Sequence, residues 1–257
     1  MGQSLKWAAQ LDNVSEVSLT GTADFDYWKN HLATQGYVPV KTDDRASIAV
    51  VSASGKFAGV RFQELSISVS VSAPNGGMGL PSFFLVQAFS SNRFFAFCER
   101  ALFSTPYQFA NVTVDYPEPT GVRVFQKGQV CLESSMASNA AAHQRSRVER
   151  RDLWLAQILL PFNPQSASLR RRMFFARICG NTQIYPFLHG IDRIKIPEHS
   201  GCGAIDSLLK SNFAPVEWLI RPKASHAKSK TYTIEKSTEL EASVRDELVR
   251  TQTLMGG

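Results

Sequence analysis

The stretch "FAGVRFQELSISVSVSA" (57–73) is the strongest constraint on the fold. Leu65, Ile67, Val69 and Val71 alternate with Ser66, Ser68, Ser70 and Ser72. A period of two puts the aliphatic residues on one face of a strand and the serines on the other. No helix can keep that pattern in register. Further strand-like runs follow the same logic: "SEVSLTGTA" (15–23), "RASIAVVSA" (45–53), "LPSFFLVQAF" (80–89), "RFFAFCE" (93–99), "VTVDYPE" (112–118), "GVRVFQKGQVCLESSMA" (121–137, turning at Lys127-Gly128), "MFFARICG" (173–180), "TQIYPFLHGIDRIKI" (182–196) and "PVEWLIRPKA". The reading pairs 93–99 with 80–89 as a hairpin around "SSN". Helical patterns are fewer. They are "DFDYWKNHLATQG" (24–36), with Asp24 as N-cap and Gly36 as stop, a stretch at about 146–160, and "GAIDSLLKSNF" (203–213).

So many strands with so few helices predict a mainly β fold, a large closed or sandwiched sheet that can enclose a cavity. The 257 residues suffice for a sizeable core. The expected layout is one domain over 1–235 and a polar, helix-prone tail over 236–257. The tail either moves freely or packs on a partner.

Charge and cysteine usage narrow the function classes. The formal charge of +6 comes from clusters at 143–152, 170–172 and 221–230, without zinc spacing or a recognition helix. They read as solvated faces, so no nucleic acid is expected. No apolar run approaches a transmembrane length, and the N-terminus has no signal-peptide core, so no membrane partner is expected. The four scattered cysteines (Cys98, Cys131, Cys179, Cys202) form no CxxC pair, and three sit in apolar runs as small hydrophobes. A reduced, cytoplasmic setting is the expectation. The histidines and acids show no metal-ligand spacing, so neither metal nor cofactor is expected. Self-association stays open.

Three segments resemble the acetoacetate decarboxylase superfamily. "GVRFQELSISVSV" (59–71) is similar to its Glu-bearing strand. "CERALFSTPYQFANV" (98–112) is similar to its Gly-Arg-Glu…Pro-Lys-Lys segment. "IYPFLHGIDRIKI…SGCGAIDSLLKSNFAPVEWLIR" is similar to its closing strands. The resemblance spans roughly residues 12 to 235 and implies a cone-shaped closed β-barrel with an internal cavity. It also implies an enzyme whose first lysine after the Pro forms a Schiff base, its pKa lowered by a cationic neighbour. That enzyme is the standard illustration of such tuning. Here Tyr107 and Gln108 follow Pro106, Ala101 replaces the Glu after Arg100, and Lys56, Lys127 and Lys195 sit in turns or at a strand end. Imine chemistry is therefore expected to be lost.

The resulting expectation is a lysine-less enzyme of lyase or isomerase type. It would act by general acid/base chemistry at Glu64, with Tyr107 and Arg100 as donors, on a largely apolar carbonyl or enol compound. Decarboxylation, dehydration, isomerisation and cyclisation all fit. Gln108, Phe84, Phe95, Tyr185 and His189 complete the expected pocket, with Tyr185 and His189 on one strand face. Each residue also has a structural reading: Glu64 paired with Arg100 in a buried salt bridge, Tyr107 in the core, Gln108 fixing its loop, His189 as a packed histidine. A non-catalytic small-molecule-binding protein using the same cavity is the alternative.

Overall fold

The computed structural model describes residues 5–73, 79–137, 141–162, 170–198, 201–236, 238–240, 243–247 and 249. In chain order the elements are β1 (Trp7–Asp24), α1 (Phe25–Ala33), β2 (Lys41–Thr42), β3 (Arg45–Phe57), β4 (Val60–Val71), β5 (Ser82–Ser90) and α2 (Arg93–Phe103). Then come β6 (Tyr107–Phe109), β7 (Asn111–Asp115), β8 (Thr120–Gln126), β9 (Gln129–Met136), α3 (Ala141–Ser146) and β10 (Val148–Leu159). The last are β11 (Arg172–Pro186), β12 (Arg193–Lys195), α4 (Ala204–Lys210), β13 (Ala214–Ser229) and β14 (Tyr232–Thr233).

Seven strands form a ring in the order β1-β13-β11-β10-β5-β4-β3, closed by the antiparallel pairing of β3 with β1. The β10–β5 junction is parallel, and the other ring pairings are antiparallel. A second sheet, β12-β9-β8-β7, packs on the outside. The alternation of β4 shows why. Leu65, Ile67, Val69 and Val71 point out of the ring into the main core, together with Val112, Val124 and Leu132 of the second sheet and Trp28 and Leu32 of α1. Ser66 and Ser68 point into the ring and line its lumen. A face of small serines leaves space there, where a filled barrel would carry bulky side chains.

Two local expectations need correction. The run at 93–99 is not a strand but the first turns of α2. An unbroken apolar run carries no period. The deciding feature is Asn92, whose side chain accepts from the backbone N–H groups of Phe94 and Phe95 as an N-cap. Asn92→Ala should therefore destabilise the protein by about 1 kcal/mol in urea unfolding. A change within error would show that the cap does not hold the helix. The stretch at about 146–160 is not a helix but β10. All of its residues pair with β11, from Val148↔Ile184 to Leu159↔Met173, and cross-strand pairing overrides its helical propensity.

The cysteine expectation also changes, since Cys131 in β9 and Cys202 before α4 are joined by a disulfide. Cys98 and Cys179 are free thiols. No helix among the described residues is long and apolar enough to cross a membrane. Beyond residue 235, Leu240 and Val244 are buried in the main core, and Glu247 forms an ion pair with Arg177 of β11. In its described residues this segment is packed against the body of the chain.

Candidate active site

The lumen under α2 is a cavity of about 460 Å³. Its walls are mostly aromatic and aliphatic: Phe62 from β4, Phe83 and Leu85 from β5, Phe95 and Phe103 from α2, Trp154 and Ile158 from β10, and Phe174 from β11. Glu64, Glu99, Tyr107 and Lys228 converge in it, and Arg177 and His226 also line its wall.

Local structure explains how each arrives. Glu64 shares the inward face of β4 with Ser66 and Ser68. α2 lies over the lumen and turns Phe95, Cys98, Glu99 and Phe103 toward it, the i/i+3/i+4 set of one helix face. The helix stops at Ser104, a left-handed residue (φ 56°). Thr105 and Pro106 then lead into β6, which adds in parallel to β5 through Ala88↔Tyr107. That pairing brings Tyr107 to Glu64. Lys228 comes from the far end of β13, two residues beyond inward-facing His226 and opposite Ala176 of β11.

The Tyr107 hydroxyl donates to Glu64 Oε2 at 3.0 Å. Glu99 Oε2 accepts from Thr105 Oγ1 at 2.9 Å and also from Lys228 Nζ. The Lys228 ammonium lies 4.5 Å from the Phe103 ring centroid and 4.6 Å from that of Phe174. Apolar walls shift all three titrations against charge. Burial, and then the negative charge of Glu99, push the Glu64 carboxyl above its ordinary value, while Tyr107, His226 and Lys228 pull only partly the other way. Burial together with Glu64 and Glu99 pushes the Tyr107 hydroxyl well up, so it stays a proton donor at neutral pH. Burial lowers Lys228, against the raising effect of Glu99 and Glu64. The result is a protonatable carboxyl, a fixed hydroxyl donor and a desolvated amine in one apolar chamber.

Glu64, Tyr107 and Phe95 of the expected set do come together. The rest do not. Arg100 follows Glu99 in a helix, where one step rotates a side chain by about 100°, and it is exposed on the outer face. No Glu64–Arg100 ion pair exists, and Tyr107 takes the place that pairing would have had. Gln108 follows Tyr107 in a strand, so it faces away from the lumen; it is exposed and accepts from Gln126 Nε2 at 3.2 Å. Phe84 lies on the outer face of β5 in the main core, 5.4 Å from the Tyr37 ring, while its neighbour Phe83 lines the cavity. Tyr185 donates to Gln183 and meets the His143 ring edge-on. His189 lies past the end of β11, against Phe187, so the two do not share a strand face and neither lines the cavity.

Two site residues escaped the sequence reading. Glu99 is hidden when 93–99 is read as a strand. Lys228 lies in "RPKASHAKSK", read as a basic surface run. The available signal there was the two-residue spacing of His226 and Lys228 with small Ala224 and Ala227 beside them, which continues β13. Among the described residues no group of three His, Cys, Asp or Glu side chains is arranged to hold a metal.

No family model matches the sequence, and no curated protein matches it. Solved structures do match in fold. An acetoacetate decarboxylase superposes with a TM-score of 0.58 at 12% identity, over 87% of this chain and 88% of that one. Acetoacetate decarboxylase from Legionella pneumophila gives 0.57 at 11% identity, over 90% and 88%. The enduracididine biosynthesis enzyme MppR, in complex with the condensation product of pyruvate and imidazole 4-carboxaldehyde, gives 0.56 at 12% identity over 91% of both chains. The seven-strand ring and its outer sheet have the acetoacetate decarboxylase-like fold.

Proposed function

We propose that the protein is an enzyme acting on a largely apolar carbonyl compound, with Glu64 as general acid/base. The observation that carries this reading is the Glu64–Tyr107 hydrogen bond at 3.0 Å inside a chamber whose walls hold the Glu64 carboxyl above its ordinary value. A carboxyl whose proton affinity is raised above the ordinary can both take a proton from a substrate and return it. The proton it takes is that on the carbon next to the substrate carbonyl. The negative charge then develops on the carbonyl oxygen, and the Tyr107 hydroxyl and Lys228 ammonium are the groups able to meet it. Decarboxylation, dehydration, isomerisation and cyclisation share this enol or enolate stage. The aromatic lining favours an apolar body, because a small doubly charged acid would lose hydration there without replacement. The neighbours in fold support the carbonyl class: two are acetoacetate decarboxylases, and MppR structures hold pyruvate or its condensation product.

A second reading has its own support. Lys228 is a desolvated amine with a lowered pKa, and such amines form imines with carbonyl substrates. It would restore, from β13, the chemistry that Tyr107 and Gln108 remove from the segment after Pro106. The leading reading keeps Lys228 as an ammonium, held by Glu99 and by the faces of Phe103 and Phe174. Borohydride treatment in the presence of aryl and medium-chain ketones, and of short keto acids, separates the two. The intact mass is expected to stay unchanged. A reduced adduct mapped to Lys228 would move the first step to the amine and leave Glu64 as its proton carrier.

A further inference from the structure

The lumen does not end below the Glu64 chamber. A second chamber of about 370 Å³ occupies the other end of the ring. The two share Ala49, Val51, Phe83, Trp154 and Ile178 as common wall, so they are halves of one lumen with an aromatic waist. The Phe83 and Trp154 rings at that waist are 5.6 Å apart. Glu64 and Ser70 sit on the same inward face of β4, six residues apart, so Glu64 lies roughly 20 Å along the strand from Ser70 of the second chamber.

The chemistry of this second half is different. Its inner surface is hydroxyl-rich, with Ser18, Thr20, Thr22, Ser47 and Ser70 facing in. Its buried charges are largely matched. Arg221 donates to Glu16 and, through Nε, to Thr182 Oγ1 at 2.8 Å. Glu16 also accepts from Ser18 at 2.9 Å and meets His226 Nε2 at 3.0 Å. Burial alone would raise the Glu16 carboxyl, but Arg221, with His226 and Ser18, more than offsets it and leaves it low and ionised. Glu217 is different. One of its oxygens accepts from Thr20 Oγ1 at 3.0 Å, and among the described residues no Lys, Arg or His forms an ion pair with it. Glu16, Arg221, His226 and Asp152 thus form one ion-pair network, and Glu217 is the carboxylate lining this chamber that lacks a cationic partner among the described residues, facing hydroxyl acceptors.

We infer that the second chamber is a binding subsite for an organic ammonium ion. Glu217 supplies the counter-charge, the Thr and Ser hydroxyls accept the remaining N–H bonds, and the waist rings border the carbon chain. A hydroxyl-lined chamber with a carboxylate lacking a cation discriminates against anions by repulsion. Neutral alcohols can donate a hydrogen bond to the carboxylate but cannot form the ion pair that an ammonium forms. The subsite is separate from Glu64, and it makes one lumen able to hold an apolar group at one end and a cationic group at the other.

Butylammonium, butanol and butyrate each have four carbons and differ chiefly in the charge of the head group. Saturation-transfer NMR and thermal shift, run with the whole chain at matched ionic strength, are expected to show binding of butylammonium alone. Glu217→Gln should weaken that binding by about tenfold or more, since it leaves the cation without its charge partner. Glu64→Gln should leave it intact. Equal or better binding of butanol or butyrate, or no transfer to butylammonium, would overturn the inference. So would binding that survives Glu217→Gln. Binding lost in Glu64→Gln would instead assign the cation to the Glu64–Glu99 carboxylates of the first chamber and equally refute the subsite.

Discussion

Glu64→Gln is expected to lower turnover of a bound ketone by about a hundredfold or more, the range for removal of a general acid/base. The substitution keeps size and a hydrogen-bonding oxygen for Tyr107, so the loss reports the missing titration and not a collapsed wall. The same variant should be more stable than the parent at neutral pH. In the folded chain the Glu64 carboxyl is held above its ordinary value of 4.5, chiefly by burial and secondly by Glu99. Over the window between 4.5 and the folded value, the folded state keeps a proton that the unfolded chain has released. Stability therefore falls as pH rises through that window, and above it the parent carries the whole cost of an ionised, buried carboxylate. Gln carries none. Urea unfolding of the two proteins should diverge above the window and converge below it. A variant that is both slow and less stable at pH 7 would mean that Glu64 is a structural partner.

The largest loss of stability is expected from Asp192→Ala, about 3–5 kcal/mol, as for breaking one side of a buried polar pair. Asp192 is buried, yet four groups from four parts of the chain converge on it. Its Oδ1 accepts from Ala137 N–H at 3.0 Å, just past β9, and meets His143 Nε2 of α3 at 2.8 Å. Its Oδ2 accepts from Leu188 N–H at 2.9 Å and from Trp218 Nε1 of β13 at 3.1 Å. Alanine leaves these donors in a dry interior, each with its desolvation uncompensated. Asp192→Asn retains one acceptor and should lose less. Chemical denaturation checks both, and a loss below about 1 kcal/mol for the alanine variant would show that the four groups find water or other partners.

What could be read from the sequence follows the rules of periodicity. β4 was legible because its two faces differ in chemistry. The α1 cap at Asp24, whose side chain accepts from Tyr27 N–H at 2.6 Å, was legible because capping is local. α2 was not, because Phe, Ala and Cys leave no contrast between period two and period 3.6. That single misreading reshaped the site. In a strand, Glu99 and Arg100 point to opposite faces and either could be the inward one. In the helix it is Glu99 that turns to the lumen and Arg100 that goes to solvent. Gln108 and Phe84 failed in a related way, since adjacent strand residues face opposite sides and the inward one of each pair, Tyr107 or Phe83, is chosen by the whole sheet. Lys228 could not be recognised as buried, because its desolvation comes from Phe103 and Phe174, distant in sequence.

The most direct test of the central claim is hydrogen exchange next to a carbonyl. Aryl-alkyl and medium-chain ketones in heavy water, followed by NMR, report proton removal at that carbon whichever overall reaction the enzyme completes. The wild-type protein should accelerate deuterium incorporation into at least one of these ketones, and Glu64→Gln should bring the rate down about a hundredfold or more, toward the uncatalysed level. Exchange that persists undiminished in Glu64→Gln, or a wild-type protein that binds the ketones and exchanges none of them, would contradict an acid/base role for Glu64.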